Sequence, residues 1–328
     1  MSLLRRYLVI ATAVLLISVP AGIAGVIGGA TGAAAATVTT AWQNGAFSVN
    51  TAGVVARSDI VLGQPNSADT QSLPLGNGSL GVAAWAASGF TAQLNRSDTM
   101  PGRLSPGPVQ IPGLAAMTSA PNFSGTLDLY NGVLDESGGG MTMQAWVPAG
   151  KDELVVNVTG ANPNTTQTAS LHLWSGRSPA AAVSGAIGSL AQTWVDNTQS
   201  GSSGQTFGAM SAITAGGQNV TASVVSSTDV QVSFKPNSDG SFRVIVAAPS
   251  WTGGNATSTA SGLIGADTTA TTSSLLATQS SWWNGYWANA GLIEATSSDG
   301  SAQYMENLRA LYLYDEAASM HSGAYPGS

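Results

Sequence analysis

The sequence predicts a mainly β protein, a large antiparallel β-sandwich followed by C-terminal helices. Two observations predict the sandwich. Short runs in the middle of the chain alternate apolar and polar side chains, as in TLDLYNGVLD (126–135), and a period of two is typical of strands with one buried face. Clusters of Gly, Pro, Asn and Ser separate these runs, as turns do. A third observation predicts the helices, because apolar residues recur at helical spacing only after about residue 265.

The 328-residue chain is apolar and poor in charge, with 43% hydrophobic and 8% charged residues. Its length suits one large domain or two ordinary ones. The net charge is −7 with only ten Lys and Arg residues, which argues against nucleic acid as a partner, because phosphate binding needs clustered cations. The chain has no cysteine and two histidines. Disulfides and thiolate metal sites are therefore excluded, and we expect no cofactor.

Residues 1–36 follow the pattern of a secretory signal peptide. Two arginines precede an apolar run from Tyr7 to Val19, and a small-residue stretch follows. This order predicts cleavage after Ala36 and a secreted, extracellular protein. The arginine pair leaves the general and the twin-arginine export routes open. The alternative is a retained membrane anchor, although Gly and Pro residues weaken a helix in the second half of the segment.

Residues 37–265 are predicted to form the β-sandwich domain. Asn131–Gly132 joins two alternating runs, and this dipeptide is a strong hairpin signal because both residues tolerate positive φ. Further strands are predicted in the segments MTMQAWV, ELVVNVTG, ASLHLW, DVQVSFKP and FRVIVAAP. No helical period occurs between residue 57 and about residue 265, so no helix is predicted there.

Residues 266–298 are predicted to be a helical linker, and residues 299–328 the first helix of a helical catalytic domain that is truncated in this chain. The linker carries the aromatic run WWNGYW, whose tryptophans we interpret as the anchor between the sandwich and the helices. In the second helix, apolar side chains from Tyr304 to Ala318 form a stripe at helical spacing. Such a stripe needs partners, so either a further helical domain follows Ser328 or the helix docks back on the sandwich.

The segment GNGSLG (76–81) admits three interpretations. It fits G-x-G-x-x-G, but a dinucleotide fingerprint also needs a preceding strand, a following helix and a βαβ context, and the surrounding pattern is β. Asn77–Gly78 also fits a tight turn between two strands. In that case we expect Gly78→Val to prevent soluble folding, because a β-branched residue resists positive φ. The third interpretation is a family signature.

The segments LPLGNGSLGVAAW and TAQLNRSDT together resemble the N-terminal domain of glycoside hydrolase family 95 and its secreted bacterial relatives. The resemblance covers residues 57–328, and YMENLRALYLYDEAASM looks like the first barrel helix. The chain departs from the pattern at Arg96–Ser97, and at Met100–Pro101, where the family has a tryptophan. In that family a large β-sandwich, or supersandwich, precedes a linker and an (α/α)6 barrel that carries the catalytic carboxylates.

The resemblance implies that the chain is the N-terminal portion of a secreted glycoside hydrolase, and that its C-terminal helices begin an incomplete (α/α)6 barrel. It implies Asn95 and Asp98 as substrate-binding residues, but no catalytic residue, because all of those would lie beyond Ser328. The chain alone is therefore expected to be inactive. Asp98 has an alternative role as the cap of a turn. The alternative function is a non-catalytic extracellular carbohydrate-binding β-sandwich protein, and in both cases we expect an oligo- or polysaccharide as the partner.

Other candidate residues have less specific patterns. The acidic pairs Asp135–Glu136 and Asp152–Glu153 are expected at the solvated surface, because carboxylates are rarely buried. His172 is expected to point to solvent from its strand, and no nucleophile motif surrounds it. Sugar rings stack on tryptophan, but core packing is the expected role of the four tryptophans in or beside predicted strands. These are Trp85, Trp146, Trp174 and Trp251.

Overall fold

A computed structural model gives the architecture of the chain. It describes residues 42–320 except positions 44, 48, 88, 97–98, 100–104, 175–177, 197–203, 252, 254–255 and 265–266. The chain divides into two units, Met1–Val49 and Asn50–Ser328. In the first unit β1 (Trp42–Gln43) pairs antiparallel with β2 (Ala46–Phe47). The predicted signal peptide lies outside the described residues.

The second unit contains two large antiparallel sheets, of which the first has nine strands. These are β3 (Ile60–Leu62), β8 (Ser124–Asp128), β9 (Val133–Gly138), β10 (Met141–Trp146), β11 (Glu153–Thr159), β13 (Ala180–Ser184), β14 (Ile187–Asp196), β15 (Gln205–Gly216) and β18 (Phe242–Ala247). Their order in space is β13-β14-β15-β18-β11-β10-β9-β8-β3. The predicted hairpin at Asn131–Gly132 joins β8 to β9.

The second sheet has seven strands. These are β4 (Leu73–Gly76), β5 (Leu80–Trp85), β6 (Phe90–Arg96), β7 (Gly107–Ile111), β12 (Gln167–His172), β16 (Gln218–Ser226) and β17 (Asp229–Lys235). Their order in space is β16-β17-β12-β7-β6-β5-β4. The predicted fold class, an antiparallel β-sandwich followed by C-terminal helices, is confirmed.

Five α-helices accompany the sheets in the described part of the chain. They are α1 (Thr51–Ala56), α2 (Ala115–Thr118), α3 (Ala256–Ile264), α4 (Thr272–Asn289) and α5 (Ser301–Met320). Short 3-10 turns lie at Asp69–Gln71 and Pro112–Leu114. The prediction of no helix between residues 57 and 265 is wrong, because α2 and α3 lie there. The composition of α3, rich in Ala, Ser, Thr and Gly, conceals its helical period.

The core lies between the two sheets, because each alternating strand turns its apolar side chains inward. Leu80, Val82 and Ala84 of β5 belong to the same buried cluster as Leu154 and Val156 of β11. A sheet buried on both faces needs near-continuous apolar strands, and β11 and β18 have that character. Helices pack on the face of the nine-stranded sheet that is turned away from the seven-stranded sheet. Ala260 and Ile264 of α3 pack on Met210 and Ile245, and Leu275 and Leu276 of α4 contact the cluster around Trp146.

Helices α4 and α5 are held against the sandwich by aromatic residues. The indole of Trp283 stacks on Tyr314 of α5 with 4.8 Å between ring centroids. The indole Nε1 of Trp287 donates to the Leu129 carbonyl oxygen at 2.8 Å. A Cβ at Gly132, which has φ of +63°, would overlap the Trp283 ring. Position 132 in the β8–β9 turn must therefore be glycine for the ring to fit. These contacts give the tryptophans of α4 the anchoring role that the sequence suggested.

One face of α5 contacts the sandwich and another is exposed. The Tyr314 hydroxyl donates to the Pro74 carbonyl oxygen at 3.0 Å, whereas Tyr304, Met305, Leu308 and Tyr312 are exposed. The sequence left two alternatives for this helix, docking on the sandwich or packing against a further helical domain. In the structure α5 docks on the sandwich, and the apolar residues of its other face are exposed. No helix among the described residues is both long enough and apolar enough to span a bilayer. The domain boundaries stay predictions.

Candidate functional site

The β4–β5 turn is held by the side chain of Asn77, which is buried. Its Oδ1 accepts hydrogen bonds from the backbone N–H groups of Ser79 at 3.0 Å and Leu80 at 2.8 Å. Its Nδ2 donates to the carbonyl oxygen of Lys151 at 2.8 Å. Because β4 and β5 belong to the seven-stranded sheet and Lys151 precedes β11 of the other, this side chain ties the two sheets together at one end.

The glycines of GNGSLG allow α5 to approach this turn. Gly78 has φ of +81°, and its N–H donates to the carbonyl oxygen of Ala318 at 2.7 Å. A Cβ at Gly76 would lie 2.4 Å from the same oxygen, so a side chain there would displace the helix. The motif joins two antiparallel strands, and the dinucleotide interpretation is therefore wrong. Its chemical role is to give a hydrogen-bond donor to a carbonyl oxygen in the last described turn of α5.

An ion pair lies beside Asn77. Arg96 is buried, and its Nη1 donates to the Asp152 carboxylate at 2.8 Å and to the Ala248 carbonyl oxygen at 2.5 Å. The Asn77 amide lies 3.2 Å from the same carboxylate. Arg96 was a departure from the family pattern in the sequence, and the structure gives it a position that joins β6 to the ends of β11 and β18. The expectation that Asp152 is simply solvated is therefore incomplete.

Glu153 is fully buried, so the prediction that it is solvated is wrong. Burial raises the pKa of Glu153, and the neighbouring Asp267 carboxyl raises it further. Lys151 Nζ lies 2.5 Å from Asp267 Oδ1. Two buried carboxyl groups beside one ammonium are most stable when one of them keeps its proton, and that group is Glu153. This cluster connects the start of β11 to the segment that precedes α4.

Glu136 of β9 is also buried, and its predicted solvation is wrong. It lies on the same face of the strand as Leu134, which is part of the core between the sheets. Burial raises the pKa of Glu136 to about 7. The expected exposure of acids is wrong at Glu136 because strand register turns its side chain to the inner face of β9. It is wrong at Glu153 because both faces of β11 are buried.

A cleft of about 520 Å³ lies on the outer face of the seven-stranded sheet, which is the face turned away from the nine-stranded sheet. Strands β4, β5 and β6 form its floor and the last turns of α5 form one wall. Thirteen residues line it: Pro74, Leu75, Gly81, Val82, Ala83, Gln93, Leu94, Asn95, Ser105, Trp174, Asp315, Ala318 and Ser319. The size and the mixture of apolar surface with a few polar groups are typical of small-ligand sites.

Trp174 is the largest side chain of the cleft and is 60% exposed. Its Nε1 donates to Gln93 Oε1 at 3.3 Å. The Gln93 amide is itself oriented, because its Nε2 donates to the Leu94 carbonyl oxygen at 2.9 Å and to the Ser105 hydroxyl. The predicted core role is confirmed for Trp146, which is fully buried, and is wrong for Trp174. Leu173 takes the inward position instead, so the next residue turns outward.

The structure places Asn95, a predicted site residue, in the cleft. Its neighbours Leu94 and Arg96 are buried, and Asn95 itself is exposed on the outer face of β6. It pairs in register with Gly81, whose lack of a side chain leaves the space above the sheet open. The other predicted site residue, Asp98, lies outside the described residues. Asp315, which no sequence pattern singled out as a site residue, faces the cleft from α5.

His172 lies on the same outer face, as expected from its alternation with Leu171 and Leu173. Its Nδ1 lies 2.5 Å from Asp229 Oδ1 on β17. The imidazole meets Trp174 edge to face, with 5.9 Å between ring centroids. The cross-strand partner Asp229 could not be identified from sequence, because pairing of β12 with β17 joins residues 57 positions apart.

A second, more polar cavity of about 550 Å³ lies beside Arg243 and the start of α4. The guanidinium is engaged by carbonyl oxygens of Asp267 and Ala270, each at 2.7 Å, and by the Thr272 hydroxyl at 2.8 Å. It therefore fastens the segment before α4 to β18. No group of three metal-ligating side chains occurs in the described parts of the chain.

The outer-face cleft combines one apolar ring face with a few hydrogen-bonding side chains. An indole face offers apolar contact, while the side chains of Gln93, Asn95 and Asp315 offer donors and acceptors. Glycoside hydrolysis requires two carboxyl groups, about 5–9.5 Å apart on either side of the scissile bond. Asp315 is the single carboxyl group among the described residues of the cleft.

No protein-family model matches this chain, and no curated protein matches it. Among solved structures, it is similar to a candidate kojibiose phosphorylase from the human microbiome, at 12% identity and a TM-score of 0.48, over 79% of this chain and 42% of the other. A bacterial glucoamylase complexed with acarbose is similar at 8% identity and a TM-score of 0.38, over 77% and 40%. A family 92 α-mannosidase from Bacteroides thetaiotaomicron is similar at 12% identity and a TM-score of 0.36, over 73% and 38%. The chain spans about two fifths of the length of these proteins.

Proposed function

We propose that this chain binds carbohydrate in the outer-face cleft and is the N-terminal portion of a secreted glycoside hydrolase. The observation that carries the proposal is the exposed indole of Trp174, held by Gln93 above a cleft that also contains Asn95. A rigid exposed aromatic ring surrounded by amide groups matches a pyranose, which has apolar C–H faces and a polar rim. Binding of a nucleic acid or of an acidic sugar is disfavoured, because Asp315 is the charged residue of this surface.

Catalysis belongs, in this proposal, to residues beyond Ser328. The described cleft contributes one carboxyl group, whereas both hydrolytic mechanisms use two. The exposed apolar residues of α5, Tyr304, Met305, Leu308 and Tyr312, support further helices that pack against this helix, since exposed apolar patches mark interaction surfaces. The helix would then be the first of the helical catalytic domain.

Secretion is part of the same proposal and rests on the order of charged, apolar and small residues in the first 36 positions. N-terminal sequencing of the exported protein should begin near Thr37. Membrane-bound protein that still carries Met1 would contradict cleavage.

The second candidate function is a non-catalytic carbohydrate-binding protein, and the single carboxyl group of the cleft favours it. The two functions share the binding site and differ in the coding sequence downstream of Ser328. An open reading frame that continues for several hundred codons and encodes paired carboxylates on helices supports the hydrolase. A stop codon directly after Ser328 supports the binding protein.

Calorimetry with glucose, galactose, mannose and fucose and with their oligosaccharides tests the shared proposal. We expect Trp174→Ala to abolish measurable binding and Asn95→Ala to weaken it. Tyr304→Ala is the matched control, because Tyr304 is an aromatic residue of similar exposure, 63% against 60%, that lies outside the cleft. Absence of binding by the wild-type chain to every sugar, or equal binding by Trp174→Ala, overturns the proposal.

A further inference from the structure

A second polar cluster lies on the outer face beside Trp174. Asp229 accepts the Nδ1–H of His172 on one carboxylate oxygen. Its other oxygen accepts the hydroxyl groups of Ser226 at 2.5 Å and Thr228 at 2.9 Å. These residues come from β12, from β17, and from the end of β16 with the turn that follows it, so the imidazole is fixed by groups on three segments.

The hydrogen bond to Asp229 determines the tautomer of His172. A carboxylate accepts and does not donate, so Nδ1 carries the proton and the neutral ring presents Nε2 as an acceptor. No described residue bonds Nε2, and the side chain is 41% exposed. A fixed, exposed acceptor of this kind is suited to a hydroxyl group of a ligand.

Trp174 connects this acceptor to the cleft. It lines the cleft and it also contacts the imidazole edge to face at 5.9 Å between centroids. His172 itself is not a lining residue of the cleft, and β7 separates its strand β12 from β6, which carries Asn95. The binding surface therefore continues across Trp174 along the outer face of the sheet.

We propose that His172 and Asp229 form a second sugar subsite, and that the ligand is an oligosaccharide with units in the cleft and beyond Trp174. In this arrangement His172 Nε2 accepts a hydroxyl hydrogen from the second unit, and Asp229 holds the imidazole in position. The inference rests on the proposed function, because it extends the same surface. It adds the class of ligand, which is a chain of at least two sugars rather than a monosaccharide.

The test compares affinities along a length series. Monosaccharides, disaccharides and trisaccharides of glucose, galactose, mannose and fucose are titrated into the wild-type chain, with saturation-transfer NMR for weak binding and calorimetry for the rest. We expect the disaccharide to bind about three- to tenfold more tightly than the monosaccharide, which is what one added hydrogen bond supplies.

Three variants assign the gain to His172. His172→Asn can keep the bond to Asp229 but lacks an acceptor at the Nε2 position, so it should lose the gain with length and leave the monosaccharide affinity unchanged. His172→Gln places an amide near the Nε2 position and should keep part of the gain. Asp229→Asn should reduce the gain, whereas Asp239→Asn, a control on the β17–β18 turn, should not. Thermal unfolding verifies that each variant is folded.

The length series and the variants distinguish a failure of the second subsite from a failure of sugar binding as a whole. If no sugar binds, or if Trp174→Ala binds normally, the proposed function fails and the subsite with it. If sugars bind through Trp174 but the wild-type affinity does not rise with length, the subsite is overturned alone. Equal losses for monosaccharide and disaccharide in His172→Asn also overturn it, because they indicate a general structural role.

Discussion

The backbone N–H of Gly78 lies 2.7 Å from the carbonyl oxygen of Ala318, so the first hairpin of the seven-stranded sheet caps the last turn of the last described helix. This bond brings α5 to the edge of the outer-face cleft, where Asp315 and Ser319 become its wall. Gly78 thus acts on the cleft through the position of α5, whereas Gly81 of the same motif lines the cleft itself.

Gly78→Val should prevent soluble folding or lower the melting temperature strongly. A β-branched residue at φ of +81° costs about 1–3 kcal/mol, and the bond to Ala318 is disturbed as well. Thermal unfolding monitored by circular dichroism measures the effect. Gly81→Ala is the control, because a Cβ there would have its nearest neighbour at 3.9 Å. Equal melting of Gly78→Val and wild type would refute the assigned turn.

Arg96→Ala should destabilise the chain by about 3–5 kcal/mol, the cost of removing one partner from a buried ion pair. Asp152 would lose its cation and Ala248 its donor. Urea unfolding gives the free energy difference. Arg309→Ala, which removes bonds to the exposed Gly291 carbonyl, should cost less than about 1 kcal/mol. Similar values for the two variants would show that the Arg96 network does not hold the sheets together.

The free energy of unfolding should fall as the pH rises from about 4.5 to about 7. Glu136 has its pKa raised from 4.5 to about 7 by burial, so the folded chain binds this proton more tightly than the unfolded chain. Below pH 4.5 both states are protonated and the contribution is complete; above pH 7 it is lost. Urea unfolding at several pH values measures the slope.

Glu136→Gln should flatten this dependence, by on the order of 3 kcal/mol across the range, since an amide mimics the protonated acid. Glu153, whose pKa is also raised, contributes a slope of the same sign, and Glu153→Gln should reduce it independently. Glu316→Gln, on the accessible side of α5, is the control. An unchanged slope in both buried variants would contradict the assigned protonation.

Trp283→Ala should release α4 and α5 from the sandwich. The indole fills the space beside Gly132 and stacks on Tyr314, and loss of a buried aromatic ring costs about 3–5 kcal/mol. Limited proteolysis should then cut between residues 290 and 300 faster than in the wild type. Trp282→Ala, which removes a partly buried neighbour, should show a smaller increase. Equal cleavage rates in Trp283→Ala and wild type would disprove the anchor.

The purified chain from residue 37 to residue 328 should hydrolyse no glycoside at a measurable rate. Its described cleft offers a single carboxyl group, Asp315, and hydrolysis uses two. An aryl-glycoside panel that includes α-L-fucoside and both galactosides checks this. Turnover by a monodisperse monomer, if abolished by Asp315→Asn, would move catalysis into this chain.

The strands could be predicted from the sequence because period-two alternation reports directly on a half-buried sheet. Helix α3 could not be predicted, because its small and hydroxyl-bearing residues do not separate into an apolar and a polar face. In the structure it covers apolar side chains of β15 and β18. The β11 run ELVVNV showed no alternation, and burial on both faces explains this.

Only some of the cleft residues could be predicted from the sequence. Asn95 was selected from a family motif and lies in the cleft. Trp174 was assigned to the core because large aromatic side chains usually pack there, although its alternation with Leu171 and Leu173 puts it on the outer face with His172. Asp315 and Asp229 reach the site through packing of α5 and pairing of β17, and such long-range pairings leave no signal in neighbouring residues. Glu153 was expected at the surface because the residues around it do not reveal that both faces of β11 are covered.

The hydrogen bond from Tyr314 to Pro74 joins residues 240 positions apart, and this separation has a kinetic consequence. Contacts between distant residues form late, because loop closure costs entropy before the contact stabilises the chain. The hairpins of both sheets can form from local sequence, whereas α5 reaches β4 only after the intervening strands have assembled. We therefore expect one wall of the cleft to be the last part of the fold to be completed. Recovery of sugar binding after dilution from denaturant should lag behind recovery of β-sheet circular dichroism, so ligand binding reports the end of folding rather than its beginning.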